Sequence, residues 1–467
     1  MTDDIIRQTR TGRLVIRSTH RRRSIRAAIF TAMLHTIGAT CLLASALQLY
    51  CLSLGADDLY LGLLNFAIWA GAPFLLLGIT LMRRFGKRRI LVFWAGIMPA
   101  ACMAFAVLLP VMGRFGWISP AWILYWLLAA TLMRSITDNI GGAGWFPMLQ
   151  DNVPSRITGK FFGTFRMYWQ SSVLVTALLI AWFLGSEPAW WKFCVVFAVG
   201  ETSFIAKIFF LKQLKEKPQP KNAHDLPSSW GVLRRAIADR NTRHFLGYIL
   251  LYNIAAFMCL PFQIKYLKDL GYSAGYIVAA TSMVSVGAIV SLRFWGKLAD
   301  RFGNRSIFSI SHIGITVVLA TWLLVDKNAF SAVFVFVLYA GWSIFQSANG
   351  IAYTRHMFHA VPETDQSNLV IVNAFSFLSV AIAPLISGLF LKLSADWHFE
   401  SGGLSVNNYH MLFLFAALLV LAPGRICKTF QNNVETSAVG VFVIITRPLR
   451  TLFGPFVSFP TKRNNSK

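Results

Sequence analysis

The stretch Gly296–Arg305 reads Gly-Lys-Leu-Ala-Asp-Arg-Phe-Gly-Asn-Arg and lies between two long apolar runs of the chain. Its single acid, Asp300, directly precedes Arg301, and Gly303 stands in the middle of the basic part. A short basic turn with a glycine between two apolar runs is typical of a connection between two helices that cross a membrane. The stretch therefore predicts that one apolar helix ends before it and that another begins after it.

A second copy of this pattern occurs earlier, at Arg83–Arg88, which reads Arg-Arg-Phe-Gly-Lys-Arg and again separates two apolar runs. The two copies share the Arg-Phe-Gly core, but Arg83 stands where the later copy has its acid. Read as G-x-x-x-D-R-x-G-x-R, the later copy resembles the signature loop of the major facilitator superfamily, a large family of twelve-helix secondary transporters. In that family the loop joins helices 2 and 3, and a weaker copy joins helices 8 and 9. Here the better copy is the second.

The composition indicates an integral membrane protein. Of the 467 residues, 56% are hydrophobic and 13% are charged, whereas soluble domains carry about 25% charged residues. The net charge of +25 comes from Lys and Arg residues in the gaps between apolar runs, where they suit lipid headgroups rather than nucleic acid. The six cysteines form no CxxC pair, so we expect neither a metal site nor a cofactor.

The apolar runs predict an all-α fold with twelve transmembrane helices, because a spanning helix needs ~20 apolar residues. The predicted spans are 27–54, 59–82, 90–112, 120–148, 161–184, 191–211, 244–266, 277–296, 306–325, 329–354, 369–393 and 411–426. Most of the 44 Lys and Arg residues fall on one side, which the positive-inside rule makes the cytoplasmic side. The few on the opposite side are Arg114, Lys192, Lys265, Lys268, Lys327 and Lys392.

The spans form two groups of six, with both termini on the cytoplasmic side of what we expect to be the cell inner membrane. The predicted divisions are a basic tail (1–26), an N-terminal six-helix half (27–211), a cytoplasmic linker (212–243), a C-terminal six-helix half (244–426), and a cytoplasmic tail with an interfacial apolar segment (427–467). The charge count assigns the basic residues from Lys207 onward to the linker. We expect a monomer in the lipid bilayer.

An internal repeat supports this division. Three short matches recur in order and at a nearly constant offset, namely Leu54-Gly55 with Leu270-Gly271, Arg84-Phe85-Gly86 with Arg301-Phe302-Gly303, and Val153-Pro154 with Val361-Pro362. A parallel repeat of six helices is the architecture of two pseudo-symmetric halves related by an axis along the membrane normal.

Predicted span 4 contains two charged residues, whose burial in a membrane costs free energy. Arg134 and Asp138 are four residues apart and share a helix face. Asn139 is adjacent, and Trp145 continues the same stripe. An ionised side chain at the middle of a membrane costs at least ~2.5 kcal/mol and nearly always faces a bundle interior or a wet cavity. The pair is interpreted either as a functional site or as a structural ion pair that orients helices.

The repeat places a second polar and aromatic stripe in span 10, comprising Trp342, Gln346, Asn349 and Tyr353. The resemblance implies that helices 4 and 10 line a central cavity, where the two stripes would bind solute. Further candidates are His35 in span 1, Asn65 and Trp69 in span 2, and Tyr252 and Asn253 in span 7. Glu201 and His312 lie in spans 6 and 9, which are usually peripheral in the family, so we expect them away from solute.

The resemblance also implies a gate on the cytoplasmic side. Its predicted residues are Gly296, Asp300, Arg301, Gly303 and Arg305, with Arg84 and Gly86 in the weaker copy. The loop acid of the family sits near the start of a helix from the other half, so Asp300 is expected to face residues 159–162. Free N–H groups and the helix dipole there would stabilise a carboxylate by ~0.3–1 kcal/mol.

Gly144–Met167 resembles the helix 4–5 region of a bacterial branch of these transporters with poorly defined substrates and, more distantly, cation-coupled sugar symporters. The resemblance implies secondary active transport of a small organic solute, driven by a proton or other ion gradient, without a cofactor. Export of amphipathic, drug-like compounds and uptake of a sugar-like solute both stay open. A membrane enzyme or a non-transporting sensor is the rival class, but the chain has no HExxH, Walker or phosphate-loop motif for it.

Asp138 is the predicted coupling residue, because it is the one carboxylate in a central span expected to face the cavity. Opening and closing of the cavity would change its surroundings, so it would bind and release a proton between states. Arg134 would hold either that acid or an anionic group of the solute. The alternative is a permanent Arg134–Asp138 pair, with coupling through another residue such as His35.

Overall fold

The computed structural model describes residues 6–8, 14–16, 18–153, 158–217, 231, 234, 237–360, 367–401 and 404–427, and these residues form twelve long helical segments. The first six are segment 1 (Thr19–Ser53), segment 2 (Asp58–Phe85), segment 3 (Lys87–Arg114), segment 4 (Pro120–Gly142), segment 5 (Thr164–Leu184) and segment 6 (Trp190–Gln213). The last six are segment 7 (Arg240–Asp269), segment 8 (Ala274–Ala299), segment 9 (Arg301–Leu324), segment 10 (Ala329–Met357), segment 11 (Ile371–Leu393) and segment 12 (Asn408–Cys427).

The all-α membrane fold is confirmed. Eleven of the segments in the described residues are long and apolar enough to cross a membrane. Segment 4 is the exception, and it carries both Arg134 and Asp138. Two short antiparallel hairpins, which the sequence did not predict, pair Ile6–Gln8 with Leu14–Ile16 and His398–Ser401 with Leu404–Asn407.

Several segments consist of shorter helical pieces. Segment 1 consists of Ser18–Leu42 and Ser45–Ser53, and segment 2 consists of Asp58–Trp69, Ala72–Phe74 and Leu75–Phe85. Segment 3 consists of Lys87–Val92, Phe93–Ile97, Met98–Ala104, Phe105–Val107 and Leu109–Arg114. Segment 7 consists of Arg240–Phe257 and Leu260–Asp269, and segment 12 consists of Asn408–Leu419 and Pro423–Cys427. Segment 5 belongs to the helix Thr158–Leu184, segment 10 to Ala329–Ala360 and segment 11 to Ser367–Leu393, while Trp322–Leu324 is a 3-10 turn. Prolines at 73, 99, 110 and 261 begin new pieces, because proline removes an N–H from the helical ladder.

Four glycines show the internal repeat in the backbone. Gly55 and Gly271, which begin the connections to segments 2 and 8, have φ values of 87° and 81°. Gly86 and Gly303, in the two copies of the basic loop, have φ values of 92° and 77°. Residues with a side chain rarely adopt these values. Equivalent turns of the two halves therefore have the same unusual backbone geometry, which confirms the two pseudo-symmetric halves.

The two halves meet along two helix pairs, segment 2 with segment 11 and segment 5 with segment 8. Gly62 lies so close to segment 11 that a Cβ there would be 2.7 Å from the Pro384 carbonyl oxygen. The Gly275 N–H donates to the Gly185 carbonyl across the second pair at 2.7 Å. We call the end of the bundle with Gly185 the far end. The opposite end, where residues 214–217 leave segment 6, is the linker end.

Some predictions fall wholly or partly outside the described residues. They are the third repeat match at 153–154 and 361–362, most of the linker 212–243, and the apolar segment in the tail 427–467. The first helix begins at Ser18, so Arg21–Arg26 are helical rather than part of a tail.

Candidate functional site

A cluster of charged side chains lies inside the N-terminal half, where segments 1, 4 and 6 meet. Arg134 Nη1 is 3.8 Å from Asp138 Oδ2, and Lys207 Nζ is 3.8 Å from Asp138 Oδ1. Lys207 Nζ also lies 3.1 Å from His35 Nδ1. We call His35, Arg134, Asp138 and Lys207 the charged cluster. The Arg134 and Lys207 side chains are 7% and 4% exposed, and that of Asp138 is 20% exposed.

Small residues bring the helices of the charged cluster together. A Cβ on Gly38 of segment 1 would lie 2.5 Å from the Phe204 ring of segment 6. A Cβ on Gly200 of segment 6 would lie 2.7 Å from Cys41 of segment 1. Helices approach closely where one side contributes glycine. The close approach of segments 1 and 6 places Lys207 against His35 and within reach of segment 4.

Lys207 corrects the sequence analysis, which counted this residue with the cytoplasmic linker. It lies inside segment 6 and is 3% exposed. Helix 6 was expected to be peripheral, yet it supplies the second cation beside Asp138. The signal was available, because the predicted span 191–211 already contained Lys207. A lysine inside an apolar span needs a buried anionic partner, and Asp138 is that partner.

Trp145 does not continue the stripe of Arg134 and Asp138, as the sequence predicted. Segment 4 ends at Gly142, and Trp145 begins a separate helix, Trp145–Asn152. Its ring lies 6.3 Å from the ring of Phe165, in an apolar cluster at the linker end. Gly141 and Gly142 allow this break, since glycine is a poor helix former.

Asn139 lies beside the charged cluster without contacting it through a recorded hydrogen bond. Its side-chain amide donates to the Ser135 carbonyl of its own helix at 2.9 Å. A bond of this kind satisfies one donor locally and leaves the amide carbonyl free to accept from another group.

A neutral polar cluster lies inside the C-terminal half, where segments 7, 9 and 10 meet. Tyr252 donates to Gln346, and Asn349 donates to the hydroxyl of Tyr248. Nε2 of His312 lies 3.2 Å from the same Tyr248 hydroxyl. We call Tyr248, Tyr252, His312, Gln346 and Asn349 the neutral cluster. Four of its members are buried, and Gln346 is half-buried.

The ring of His312 also lies 5.4 Å from the ring of Tyr252, a predicted candidate, although helix 9 was expected to be peripheral. The sequence analysis missed Tyr248, which lies one turn before Tyr252 on the same helix and has 1% of its surface exposed. The signal was the spacing of the two tyrosines, because residues four apart share a helix face. Asn349 is 4% exposed and bonded within the half.

The two clusters occupy equivalent places in the repeat. Segments 1 and 4 correspond to segments 7 and 10, so His35 corresponds to Tyr252 and Asp138 to Gln346. In the N-terminal half, Lys207 of segment 6 joins His35 of segment 1 to Asp138 of segment 4, whereas in the C-terminal half Tyr252 of segment 7 donates directly to Gln346 of segment 10. The N-terminal half uses charges for this purpose, and the C-terminal half uses neutral donors and acceptors.

Other predicted candidates lie near the boundary between the halves. Trp69 of segment 2 stacks on Phe377 of segment 11, with 5.4 Å between ring centroids, and both rings are partly exposed. Asn65, one turn before Trp69, accepts from the Gln48 amide at 3.2 Å. Asn253 bonds within its own half to Ser376 of segment 11, at 3.0 Å from the side-chain oxygen.

Tyr353, which was predicted to contact solute, packs against an aromatic ring of its own half. Its ring packs 5.5 Å from the ring of Phe245, whose other neighbours include His356 at 4.8 Å. Tyr353 therefore belongs to an aromatic group within the C-terminal half.

The two basic loops have matching geometry. The Arg301 guanidinium lies 5.3 Å from the centre of the Phe302 ring, and that of Arg84 lies 5.3 Å from the Phe85 ring. Gly296 faces open space, and Arg305 is exposed. The predicted contact of Asp300 with residues 159–162 falls outside the described side chains.

Polar groups hold the far end closed across the two halves. Asp58 of segment 2 accepts from the Tyr409 hydroxyl at 3.1 Å and pairs with Lys265 at 3.6 Å. Lys265 donates to Tyr409 at 2.7 Å and pairs with Asp269 at 2.9 Å. We call Asp58, Lys265, Asp269 and Tyr409 the far-end latch. A more exposed pair, Asp57–Lys392 at 3.2 Å, lies beside it.

The sequence analysis did not identify this latch. The sequence did contain an indication of it, because Asp57 and Asp58 directly precede predicted span 2. They lie on the same side as Lys265 and Lys392, two of the few basic residues assigned to that side. Opposite charges on one sparsely charged side of a membrane protein are expected to pair.

Comparisons with known proteins agree with this architecture. The sequence profile described as Major Facilitator Superfamily matches residues 28–384 and 245–424. No curated protein matches the chain in sequence. Similar solved structures include a mutant of the nucleoside transporter NupG, with a TM-score of 0.64, 11% identity, and coverage of 87% of this chain and 99% of that chain.

Two further structures share the fold. The xylose transporter XylE from E. coli, in a partially occluded inward-open conformation, gives a TM-score of 0.61 at 14% identity and covers 90% of this chain and 100% of its own. A POT family transporter in complex with 5-aminolevulinic acid gives a TM-score of 0.63 at 11% identity, with coverage of 92% and 97%. With the profile match over most of its length, the chain is a membrane transporter that belongs to the Major Facilitator Superfamily.

Proposed function

We propose that the protein is a secondary active transporter that moves a small polar organic solute by alternating access and is driven by a proton gradient. The observation that carries the proposal is the charged cluster inside the N-terminal half. Buried charges in a membrane protein are expensive and mark ion pathways, proton relays or counter-ions. A purely structural bundle would be as well served by apolar packing at this place.

Asp138 is the acid of the coupling site in this proposal. Arg134 and Lys207 both lie 3.8 Å from it, and two cations stabilise its ionised form while the far end is closed. Movement of segment 6 relative to segment 4 would remove Lys207 from Asp138, and the carboxylate would then bind a proton to replace the lost charge. The competing role for Asp138 is a permanent ion pair, with His35 as the titrating group.

The polar character of the solute is supported by polar and aromatic side chains of segments 2 and 10. Asn65, Gln346 and the partly exposed Trp69 offer amide hydrogen bonds and one aromatic surface. Such a combination suits a hydroxylated or ring-containing solute better than an amphipathic cation. Nucleosides and pentoses head the test panel, since similar folds include transporters of a nucleoside and of xylose.

The closed far end supports alternating access. The far-end latch joins segments of both halves, so opening that end requires the Asp58–Lys265 ion pair and the Tyr409–Asp58 hydrogen bond to break. In the proposed topology both termini and the linker 212–243 are cytoplasmic and the far end faces outward from an inner cell membrane. The halves are then 27–211 and 244–426, and the coupling ion enters from the far end.

Transport by purified protein in proteoliposomes tests the proposal. An inward proton gradient should drive accumulation of a panel member above its external concentration, and a protonophore should abolish that accumulation. Asp138→Asn should abolish accumulation while leaving solute counterflow intact. Full accumulation in the Asp138→Asn variant would assign Asp138 a structural role, and absence of flux with every solute would refute the transport proposal itself.

A further inference from the structure

Glu201 of segment 6 is a buried acid of the N-terminal half to which the proposed transport function gives no role. It is 7% exposed. Both of its carboxyl oxygens are buried and make no hydrogen bond within the described part of the chain. Asp138 has two cations beside it, whereas Glu201 has no ion pair among the described residues. The two acids thus lie in opposite surroundings within one half.

We propose that Glu201 holds a proton while the far end is closed and is a second proton-binding residue of the transporter. A buried carboxylate without hydrogen bonds or a paired cation is strongly disfavoured, and such a group becomes neutral by binding a proton. A neutral carboxylic acid has one hydrogen-bond donor and needs no cation to balance a charge. The geometry therefore assigns the negative charge to Asp138 and the proton to Glu201.

The position of Glu201 links it to the charged cluster. Lys207 lies six residues further along the same helix, ~9 Å of axial rise, and acts electrostatically on the Glu201 carboxyl. Cys102 of segment 3 is within electrostatic range of both Glu201 and Arg134. The same Lys207 pairs with Asp138, so the cation that pairs with one acid lies on the helix of the other.

The groups that surround this pair of acids come from four helices. Lys207 lies on the helix of Glu201, and Cys102 faces it from segment 3. His35 of segment 1 and Arg134 and Asp138 of segment 4 act on Lys207. A movement of Lys207 away from Asp138 and toward Glu201 would favour a proton on Asp138 and an ionised Glu201. Each conformation would then hold one proton, on a different acid.

The role of Glu201 in coupling rests on the proposed function, but its protonation does not. Infrared spectra of the purified protein in lipid, recorded over a pH series, detect the carbonyl stretch of a protonated carboxylic acid without any solute. At neutral pH the wild type should show this band, Glu201→Gln should lose it, and Asp138→Asn should keep it. Glu187→Gln is the matched control, since Glu187 is exposed in the same half, and it should keep the band.

Persistence of the carbonyl band in Glu201→Gln would overturn the inference. A band that is lost in Asp138→Asn and kept in Glu201→Gln would assign the proton to Asp138 instead. If Glu201→Gln does not assemble, Glu201→Met gives the same spectroscopic test with an apolar side chain of similar volume. For the coupling role, Glu201→Gln should lose proton-driven accumulation of a transported solute and retain counterflow of that solute. Accumulation equal to wild type would refute the role in coupling.

The two proposals fail in different ways. If no solute of the panel moves in the wild type, the transport proposal fails, and the infrared result still decides where the proton lies. If a solute is accumulated and the band survives in Glu201→Gln, this inference fails and the transport proposal stands.

Discussion

Asp58→Asn should open the far end of the bundle. Asp58 is the acid through which the far-end latch joins the two halves, because it pairs with Lys265 at 3.6 Å and accepts from Tyr409 at 3.1 Å. Asparagine has nearly the same shape and keeps an oxygen for the tyrosine, so the substitution removes mainly the charge. The ion pair exists only while the far end is closed, and its loss therefore favours the open state.

The magnitude follows from the burial of the pair. The side chains of Asp58 and Lys265 are 15% and 17% exposed, so the pair lies between a surface pair, worth about 0–1 kcal/mol, and a fully buried one. Hydrogen bonds to charged groups contribute about 1.5–3 kcal/mol, and Lys265 keeps its bonds to Asp269 and Tyr409. A loss of about 1–2 kcal/mol changes the ratio of closed to open far ends by roughly 5–30-fold.

Distances between labels on the two halves measure this ratio. Trp117 and Lys327 lie at the far end in opposite halves and are exposed, so labels at these positions should separate when that end opens. The measurement uses a variant in which the six native cysteines are replaced. Asp58→Asn should increase the long-distance population by the factor given above.

Asp57→Asn is the matched control. Asp57 pairs with Lys392 across the halves, but both side chains are 52% exposed, and exposed pairs contribute little. Its other role, capping the helix through the N–H of Tyr60 at 2.7 Å, is one that asparagine also performs. An unchanged distance distribution in Asp58→Asn, or an equal shift in Asp57→Asn, would refute the assignment of the latch to Asp58.

Three further predictions concern the loop, the charged cluster and the neutral cluster. Gly303→Ala should lower the unfolding free energy by about 1–2 kcal/mol, because φ there is 77° and a side chain is strained in that region. The control Gly350→Ala, in an open helical site, should be neutral or stabilising, and equal effects of the two changes on thermal unfolding would contradict the prediction. Lys207→Met should abolish proton-driven accumulation and Lys212→Met, an exposed change on the same helix, should not; wild-type accumulation in Lys207→Met would exclude a coupling role. Tyr252→Phe should remove the hydrogen bond that Tyr252 donates to Gln346 and lower the unfolding free energy by about 0.5–1.5 kcal/mol. An unchanged thermal unfolding temperature would show that this bond does not help to hold segments 7 and 10 together.

The sequence predicted the helices and the repeat because both are local properties. A span is recognised by its own apolar run, and Gly86 and Gly303 reveal their turn without reference to the rest of the fold. The Arg134–Asp138 pair was predicted for the same reason, since its partners are four residues apart on one helix. The ring of Trp145 was misplaced because the prediction extended segment 4 through Gly141 and Gly142 as one continuous helix.

Contacts between distant segments were beyond local reasoning. Lys265 and Tyr409 are 144 residues apart in sequence, and the pairing of Lys207 with Asp138 joins segments 6 and 4. In the sequence, Lys207 and Asp138 stand out as charged residues inside apolar spans, and Lys265 stands out as one of the few basic residues on its side of the membrane. Sequence reasoning can identify such a group as needing a partner, but the partner is chosen by which helices touch.

Segment 6 shows how packing decides which charges matter. A helix at the edge of a bundle is expected to place its polar groups away from the centre, and this expectation gave Glu201 little weight, while Lys207 was counted with the linker. Gly38 and Gly200 remove the side chains that would hold segments 1 and 6 apart. With segments 1 and 6 this close, Lys207 lies 3.1 Å from His35 and 3.8 Å from Asp138, so that a lysine on a helix expected to be peripheral becomes a partner of the central acid. Glycines at the contact between segments 1 and 6 therefore help to position the charged side chains of this half. A bulky residue at Gly38 or Gly200 should separate Lys207 from His35 although no charged residue has been replaced.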